Sequence, residues 1–536
     1  MKEQSTTKGF AMLSLAGIVA KIFSLIYVPA LTRILGKEGM GIYFQVYDVF
    51  VFVYALLNIG MQTAVAKYVS ELGAIGNHKD ALRSFKISRT LLFLIGSLFT
   101  MFLIFSAPII SNMVHNKDIT YGLMLIAPAI LITSLLATYK GYFQGINQIK
   151  PVAIASVLEQ IANVLFSLLF AAILIKISVP LGSAGGTLGT SLGALIALAY
   201  LIYVFYIFRL DKIAKESHNP STSRVRTKRI IKTMGMYALP IMLSSGLQNF
   251  GNVIDMANVQ SRLVYAGYTT TRANEMYGLL GQWRTLINIP LLFATSLGLV
   301  ILPVISKANV LKDRATIKEK MSFSFRVTYL LSIPAAFGLA TLSKEVYKYI
   351  YGSTDGHLMM VLGSIVVVLM SIVLIQNIIL QGLSNFYYVI FTLIIGLGIK
   401  FITNYILVGN PKINIYGAIV GFILCFLISM ILNNRKLKKV LNIKINNLIL
   451  FAKPLLASIY MTVGIVLFKI IVYSFVDINT LNPLIGVLML LFMVALGGVL
   501  YLHGIIILGA IKKDDVVSLS PSLYNRIPSF ISKKFK

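Results

Sequence analysis

Residues 17–36 read GIVAKIFSLIYVPALTRILG, an apolar stretch long enough to cross a membrane, with Lys21 near its middle. A transmembrane helix needs about 20 consecutive apolar residues. A lysine near the bilayer centre costs roughly 2.5–3.5 kcal/mol, so it is tolerated mainly where it faces water or an opposite charge inside the protein. The stretch therefore predicts a membrane span with a functional cation that faces a cavity.

The whole chain has the composition of a membrane protein. Of its 536 residues, 57% are hydrophobic and 12% are charged, whereas soluble domains carry about 25% charged residues. We expect an all-α polytopic membrane protein with fourteen transmembrane helices. The predicted spans are 10–34, 42–66, 89–111, 119–139, 151–175, 184–208, 231–255, 276–306, 327–343, 358–380, 387–408, 413–432, 448–474 and 483–510. The long eighth span contains Pro290, which predicts a bend.

Lysine and arginine are distributed unequally between alternate loops. Those on the side of the N-terminus number 35, including both in loop 140–150, and those on the opposite side number 9. The positive-inside rule then places both termini in the cytoplasm. The basic runs RVRTKR (224–229) and NNRKLKK (433–439) flank predicted spans. We interpret them as topology signals that attract anionic lipid, and we predict no nucleic-acid partner.

Soluble catalytic machinery is not expected in this chain. No polar segment exceeds about 25 residues, the five histidines are scattered, and neither a P-loop nor an HExxH motif is present. The single cysteine, Cys425, lies in the apolar run GFILCFLISM, which indicates a core position. The sequence therefore predicts no enzymatic activity, no catalytic residues, no metal site and no cofactor.

Several charged residues lie within the predicted spans. The cations are Lys21, Arg284, Lys400 and Lys469, the clearest acids are Asp48 and Glu159, and Asp255 lies at a span end. Lys400 and Asn404 are spaced i, i+4, so they share one helix face. Several membrane-embedded cations that converge would suit a phosphate or a diphosphate. The apolar body indicates that part of the substrate is lipid.

Each of these residues also has a structural interpretation. Lys469 is close enough to the outer end of its span to extend towards the headgroups, and Asp255 would be interfacial. Asp48 and Glu159 would be buried partners of lysines. Arg284 would stack on Trp283, the only tryptophan. The pair Lys400 and Asn404 would form a hydrogen bond between helices.

Residues 140–160 read KGYFQGINQIKPVAIASVLEQ. This stretch resembles the GYFQG…P.A.S..EQ pattern of the bacterial polysaccharide flippases, the group that includes the stage V sporulation protein B and MurJ-type branch. The stretches LTRILGKEGMGIY (31–43), AVAKYVSELGAIGNHKDA (64–81) and IKFITNYIL (399–407) support the resemblance. It extends over nearly the whole chain.

The resemblance implies the fold of the multidrug/oligosaccharidyl-lipid/polysaccharide exporter superfamily. The implied parts are an N-terminal six-helix bundle (1–209), a cytoplasmic linker (210–230), a C-terminal six-helix bundle (231–434), two extra helices (435–510) and a cytoplasmic tail (511–536). Such proteins move a polyprenyl-diphosphate-linked oligosaccharide from the inner to the outer leaflet by alternating access. The implied cargo is lipid II or a related precursor of peptidoglycan, spore wall or capsule, and we expect a monomer in contact with membrane lipid.

The resemblance also implies roles for individual residues. Lys21 and Arg284 correspond in position to basic cavity residues of MurJ-type proteins, whereas Tyr27 and Asn58 stand where that pattern has basic residues. We expect substrate binding at Lys21, Arg284, Lys400 and Asn404. We expect gating or structural roles for Asp48, Glu159 and Gln160, since an acid near a diphosphate would repel it.

Two other functions fit a membrane protein of this kind. One is a cation-coupled multidrug exporter of the same fold, although the excess of lysine and arginine within the spans argues against cationic cargo. The other is a membrane-embedded glycan polymerase, which would need catalytic groups on the outer loops. The longest predicted outer loop, 256–275, is short.

Overall fold

The structure, a computed structural model, describes residues 6–442, 447–475 and 482–509, with the backbone alone at 6–22, 24, 25, 299 and 447–449. Every regular element within these ranges is helical, as predicted for an all-α membrane protein. The α-helices are α1 (Thr6–Tyr54), α2 (Gly60–Ala74), α3 (His78–Met113), α4 (Ile119–Gly145), α5 (Ile149–Leu174), α6 (Val179–Ile207), α7 (Leu210–Glu216), α8 (Thr227–Tyr265), α9 (Thr270–Val310), α10 (Arg314–Thr341), α11 (Ser343–Val346), α12 (His357–Gly363), α13 (Ile365–Gly382), α14 (Phe386–Val408), α15 (Tyr416–Leu441), α16 (Asn447–Phe475) and α17 (Pro483–Ile507). Two π-helical segments, Ala55–Ile59 and Tyr347–Tyr351, follow α1 and α11.

The number of spans agrees with the prediction. Within the described residues, thirteen helical stretches are long and apolar enough to cross a membrane. The first, Ile26–Ala74, falls across both the first and the second predicted spans. The chain kinks between those spans at Gly36, whose φ of 68° and ψ of −174° break the helix. A positive φ is easily adopted only by glycine, so this residue allows the chain to turn between two spans.

Three boundaries differ from the predictions. α4 continues to Gly145, so Lys140 lies in a buried helix and not in a cytoplasmic loop. The predicted outer loop 256–275 is mostly helical, because α8 ends at Tyr265 and α9 begins at Thr270. Asp255 is consequently buried inside α8, ten residues before its end, and is not interfacial. Hydropathy is lowered by polar residues even where they are buried, which explains these errors.

The chain divides into two compact units. Unit 1 comprises Met1–Gly281 and Val408–Asn414, and unit 2 comprises Gln282–Leu407 and Ile415–Lys536. The predicted bundles, 1–209 and 231–434, are a different division and stay a prediction. The predicted linker contains the short helix α7, and the predicted tail, 511–536, lies outside the described residues.

Within unit 1, α6 packs closely on α5 through a stripe of glycines at every fourth position. A Cβ atom at Gly189 would lie 2.1 Å from Ser167 Oγ, and one at Gly193 would lie 2.5 Å from the carbonyl oxygen of Glu159. One at Gly185 would lie 2.7 Å from the carbonyl oxygen of Phe170. Small residues at this spacing let two membrane helices approach each other closely. The contact fixes the helix that carries Glu159.

Candidate functional site

Two of the predicted cations, Arg284 and Lys400, are buried in unit 2, and Lys400 lies against an aromatic ring. The Lys400 Nζ lies 3.6 Å from the ring centroid of Phe422. The same ring meets Trp283 edge to face, with 5.1 Å between centroids. Arg284 follows Trp283 in α9 and is also buried. The sequence predicted that Arg284 and Lys400 bind the substrate and that Arg284 stacks on Trp283, whereas the contact of Lys400 with Phe422 was not predicted.

Lys400 has very little contact with solvent. Its exposed fraction is 2%, and that of Asn404, one turn further along α14, is 0%. Gly421 of α15 leaves room for this amide, because a Cβ atom there would lie 2.2 Å from Asn404 Oδ1. An aromatic face attracts a desolvated cation by about 2 kcal/mol. Phe422 therefore offsets part of the cost of keeping the ammonium group charged in the membrane.

Trp283 is a core residue. It is fully buried, and a Cβ atom at Gly363 would lie 2.4 Å from its Nε1. Among the described residues this Nε1 has no hydrogen-bond partner. Trp283 is therefore not interfacial. Its ring packs on Phe422, the ring that Lys400 contacts.

The position of Lys21 can be given only along the chain. Its backbone belongs to α1, and its side chain lies outside the described residues. The side chains at the two positions that depart from the family pattern form hydrogen bonds within unit 1. Tyr27 donates to the carbonyl oxygen of Gly186 at 3.3 Å, and Asn58 donates to Thr133 Oγ1 at 2.9 Å. Both side chains hold helices of unit 1 together, which is a structural use of positions where the pattern has cations.

Glu159 forms an ion pair with a lysine that was expected elsewhere. The Lys140 Nζ lies 2.7 Å from Glu159 Oε2, and both side chains are largely buried. This geometry agrees with the expectation that Glu159 is a partner of a buried lysine. Gln160, the next residue of α5, is half-buried, and its predicted gating role stays a prediction. The pair was missed because Lys140 was assigned to a loop.

A row of aromatic rings lies along α1. Neighbouring rings have centroids 5.5–6.3 Å apart. The row consists of Tyr27, Tyr43, Tyr47, Phe50 and Tyr54. Tyr47 and Tyr54 are half-buried. Half-buried phenols offer both a flat apolar surface and hydrogen-bonding groups.

Lys469 does not extend towards the headgroups as predicted. In unit 2 its Nζ lies 2.7 Å from Glu345 Oε1 and donates to the carbonyl oxygen of Thr341 at 3.0 Å. Tyr473 donates to the same carboxylate oxygen at 2.6 Å. This partly buried cluster attaches α16, the first of the two extra helices, to the end of α10 and to α11. It was missed because Lys344 and Lys348, on either side of Glu345, indicated an outer loop.

A second polar cluster of unit 1 was also missed. Asn116 Nδ2 donates to Gln45 Oε1 at 3.0 Å and to Asn274 Oδ1 at 2.7 Å. Gln45 Nε2 donates to Asn274 Oδ1 at 3.0 Å and to Gln260 Oε1 at 3.4 Å. We call these four buried amides the amide cluster; it connects α1, the α3–α4 loop, α8 and α9.

Two acids adjoin the amide cluster. Asp48, one turn after Gln45, accepts a hydrogen bond of 2.7 Å from the Tyr277 hydroxyl. Asp118, in the α3–α4 loop, accepts from Asn274 Nδ2 at 3.5 Å. Burial raises the pKa of the Asp118 carboxyl, and the bond from Asn274 opposes this shift. The amides were missed in the sequence because uncharged polar residues scattered over four segments form no motif.

Comparisons with known proteins identify the fold. A solved structure of the lipid II flippase MurJ in an inward closed conformation matches with a TM-score of 0.67 and 16% identity, over 93% of this chain and 98% of that chain. Among sequences, stage V sporulation protein B of Bacillus subtilis (strain 168) is 25% identical over 447 residues, 83% of this chain and 86% of the relative. The lipid II flippase MurJ of the same organism is 22% identical over 98% of both chains.

The family comparison is consistent with these relatives. The family described as "Polysaccharide biosynthesis protein" matches residues 6–309, which is more than half of the chain. The match includes Lys21, the aromatic row, the Lys140–Glu159 pair and Arg284. The resemblance that the sequence motifs indicated is therefore confirmed, and this multi-pass membrane protein belongs to the Polysaccharide biosynthesis protein family.

Proposed function

We propose that this protein is a flippase that moves a polyprenyl-diphosphate-linked glycan from the cytoplasmic to the outer leaflet. The observation that carries the proposal is the burial of Arg284 and Lys400 in one unit of an all-helical membrane protein of this family. Burying a cation in a membrane protein is costly. A substrate with a diphosphate group explains why the cations are present despite this cost, because its negative charge neutralises them when it binds.

The proposal assigns the diphosphate to Lys21, Arg284 and Lys400, with Asn404 as a hydrogen-bonding neighbour. Guanidinium and ammonium groups are the usual protein partners of phosphate oxygens. Asp48 and Glu159 then serve gating or structure, in agreement with their bonds to Tyr277 and Lys140. The amide cluster is proposed to close the outer side of unit 1, and alternating access would break and reform it.

The aromatic row supports the glycan part of the substrate. A sugar ring has an apolar C–H face that packs on a phenol ring, and its hydroxyl groups bond to phenols, amides and carboxylates. Tyr47 and Tyr54 supply half-buried rings, and Asn163 of α5 adds a half-buried amide. Lipid II is the favoured cargo because relatives include the lipid II flippase MurJ. Because stage V sporulation protein B is also a relative, the alternative cargo is a related precursor of the spore wall.

Vesicles of defined lipid composition test the proposal. The purified full-length protein is reconstituted with lipid II, and the glycan that reaches the opposite leaflet is measured by an impermeant labelling reagent. We expect protein-dependent flipping of lipid II and none of an uncharged polyprenol glycoside. Transport of cationic dyes without flipping of lipid II would favour the multidrug exporter instead.

A further inference from the structure

A groove on the surface of unit 1 combines a cation with an apolar wall. It has a volume of about 390 Å³ and lies between α3, α4 and α6. This volume is within the range of small-molecule sites, about 300–1,000 Å³. The groove is lined by Arg89, Phe93, Leu135, Tyr139, Leu198 and Ile202.

Arg89 is available for an anion. Its Nη1 donates to the Tyr139 hydroxyl at 3.3 Å, and its guanidinium carbon lies 5.8 Å from the ring centroid of Phe85. Over the described ranges, no carboxylate lies within ion-pair distance of it. The phenol and the ring hold the guanidinium in place without neutralising its charge. A second oxygen ligand with a negative charge would complete its bonding.

The depth of Arg89 suits a lipid headgroup. It lies 24 residues before the end of α3 at Met113, a distance of about 36 Å along a helix. The hydrocarbon core is about 30 Å thick. If Met113 lies at one membrane boundary, Arg89 therefore lies at the opposite one. The basic residues Lys79, Arg83 and Lys86 precede it on the same helix.

The apolar part of the groove begins at Arg89 and is exposed to the membrane. Phe93, one turn further along α3, is 48% exposed, and Leu98 and Phe105 beyond it are still more exposed. An exposed apolar face on a membrane-spanning helix is covered by lipid chains. Leu135 and Ile202 form the other two walls, so a single chain can lie in the groove.

We propose that this groove binds one anionic phospholipid of the leaflet on the side of the basic loops. Its phosphate contacts Arg89, and one acyl chain lies against Phe93, Leu135 and Ile202. An anionic lipid is favoured over a zwitterionic lipid because the ammonium group of a zwitterionic headgroup already neutralises the phosphate that would pair with Arg89. The site is on the outer surface of unit 1 and does not depend on the proposed transport function. The bound lipid fills the gap between α3, α4 and α6 and stabilises unit 1.

Native mass spectrometry of the full-length protein in neutral detergent tests the proposal. We expect one retained phosphatidylglycerol per chain, and weaker retention of phosphatidylcholine with the same acyl chains. Arg89→Gln should weaken phosphatidylglycerol binding about tenfold, the loss expected for a hydrogen bond to a charged group. Lys86→Gln is the matched control, because it removes an exposed charge one turn away, and it should change binding less than about twofold.

Three results would overturn the proposal. Equal losses of phosphatidylglycerol binding in Arg89→Gln and Lys86→Gln would mean that the lipid is attracted by the general positive charge of this region and not by Arg89 itself. Unchanged binding in Ile202→Trp, which fills the groove but keeps Arg89, would mean that no acyl chain lies there. Displacement of phosphatidylglycerol by a short polyprenyl diphosphate at equal concentration would identify the groove as a substrate site. Arg89→Gln and Lys86→Gln keep the test decisive if Ile202→Trp fails to fold.

Discussion

The ammonium group of Lys400 lies over the ring of Phe422, 3.6 Å from its centroid, inside unit 2. This contact stabilises the ammonium group of a side chain that is only 2% exposed. Under the proposed function, the diphosphate would bind to this cation and leave it once in each transport cycle. Phe422 is itself held by Trp283, so the position of the charge is set by packing.

Lys400→Met is predicted to abolish flipping of lipid II while the protein still inserts and accumulates. Methionine has a similar length and is apolar, so the packing is retained and the charge is lost. Lys400→Arg should retain a substantial part of the activity, because guanidinium also stacks on aromatic rings. The measurement is the rate of flipping in vesicles. Wild-type flipping by Lys400→Met would exclude this charge from the mechanism.

Glu159→Gln is predicted to lower thermal stability and to leave the affinity for substrate unchanged. It removes one partner of a largely buried ion pair, and an uncompensated buried charge costs about 3–5 kcal/mol. The exposed parts of Lys140 and Glu159, 11% and 21% of their side chains, let water reduce this penalty, so we expect a shift below that range. Differential scanning fluorimetry in detergent measures it.

The double variant Lys140→Met/Glu159→Gln is the control for this pair. It removes both charges, so it should recover most of the stability that Glu159→Gln loses. A double variant that is less stable than Glu159→Gln would show that the pair is not the source of the effect. A loss of lipid II binding in Glu159→Gln would reassign this carboxylate to the substrate site.

Gly189→Ala is predicted to prevent normal accumulation of the protein. Its new Cβ atom would lie 2.1 Å from Ser167 Oγ and 2.4 Å from the carbonyl oxygen of Asn163, so α5 and α6 would have to separate. Gly235→Ala in α8 is the matched control, because no atom lies within 4 Å of its added Cβ. Quantitative immunoblots of membranes measure accumulation. Equal levels of the two variants would contradict the tight α5–α6 contact.

If the amide cluster closes one side of unit 1 as proposed, Asn116→Ala is predicted to open that side. It removes the donor of two bonds in the amide cluster and leaves the oxygen of Gln45 with one partner fewer. We expect faster labelling of a cysteine introduced at Tyr277 by an impermeant maleimide, in a background where Cys425 is replaced by serine. Asn112→Ala, at an exposed residue four positions earlier in the chain, should leave labelling unchanged. Equal rates in both variants would contradict a closing role.

The helical fold was predictable from the sequence because every helix that crosses the hydrocarbon core must be mostly apolar, and a long apolar run is easily recognised. The fourteen spans follow from runs of about 20 apolar residues, and the structure agrees. Errors occurred where the interior is polar: Lys140, Asp255 and Lys469 were assigned to loops or interfaces. Lys140 and Asp255 are buried and Lys469 is half-buried, and hydropathy does not distinguish a polar residue in a loop from one paired inside a bundle.

The candidate site was predictable in its cations and not in its supporting residues. Arg284 and Lys400 stand out because charges are rare within spans. Nothing in the local sequence marks Phe422, Gly421 or the glycine stripe of α6, because each lies among ordinary apolar residues. Their roles depend on contacts between helices that are distant in sequence. The amide cluster likewise combines four segments, and only the folded chain brings them together.

The flipping of lipid II by Arg284→Gln in reconstituted vesicles tests the central claim most directly. Glutamine keeps hydrogen-bonding capacity and removes the charge that the diphosphate would meet. We predict that flipping falls to the protein-free rate, while Lys318→Gln, which removes an exposed charge from α10, flips at the wild-type rate. Wild-type flipping by folded Arg284→Gln protein would contradict the account.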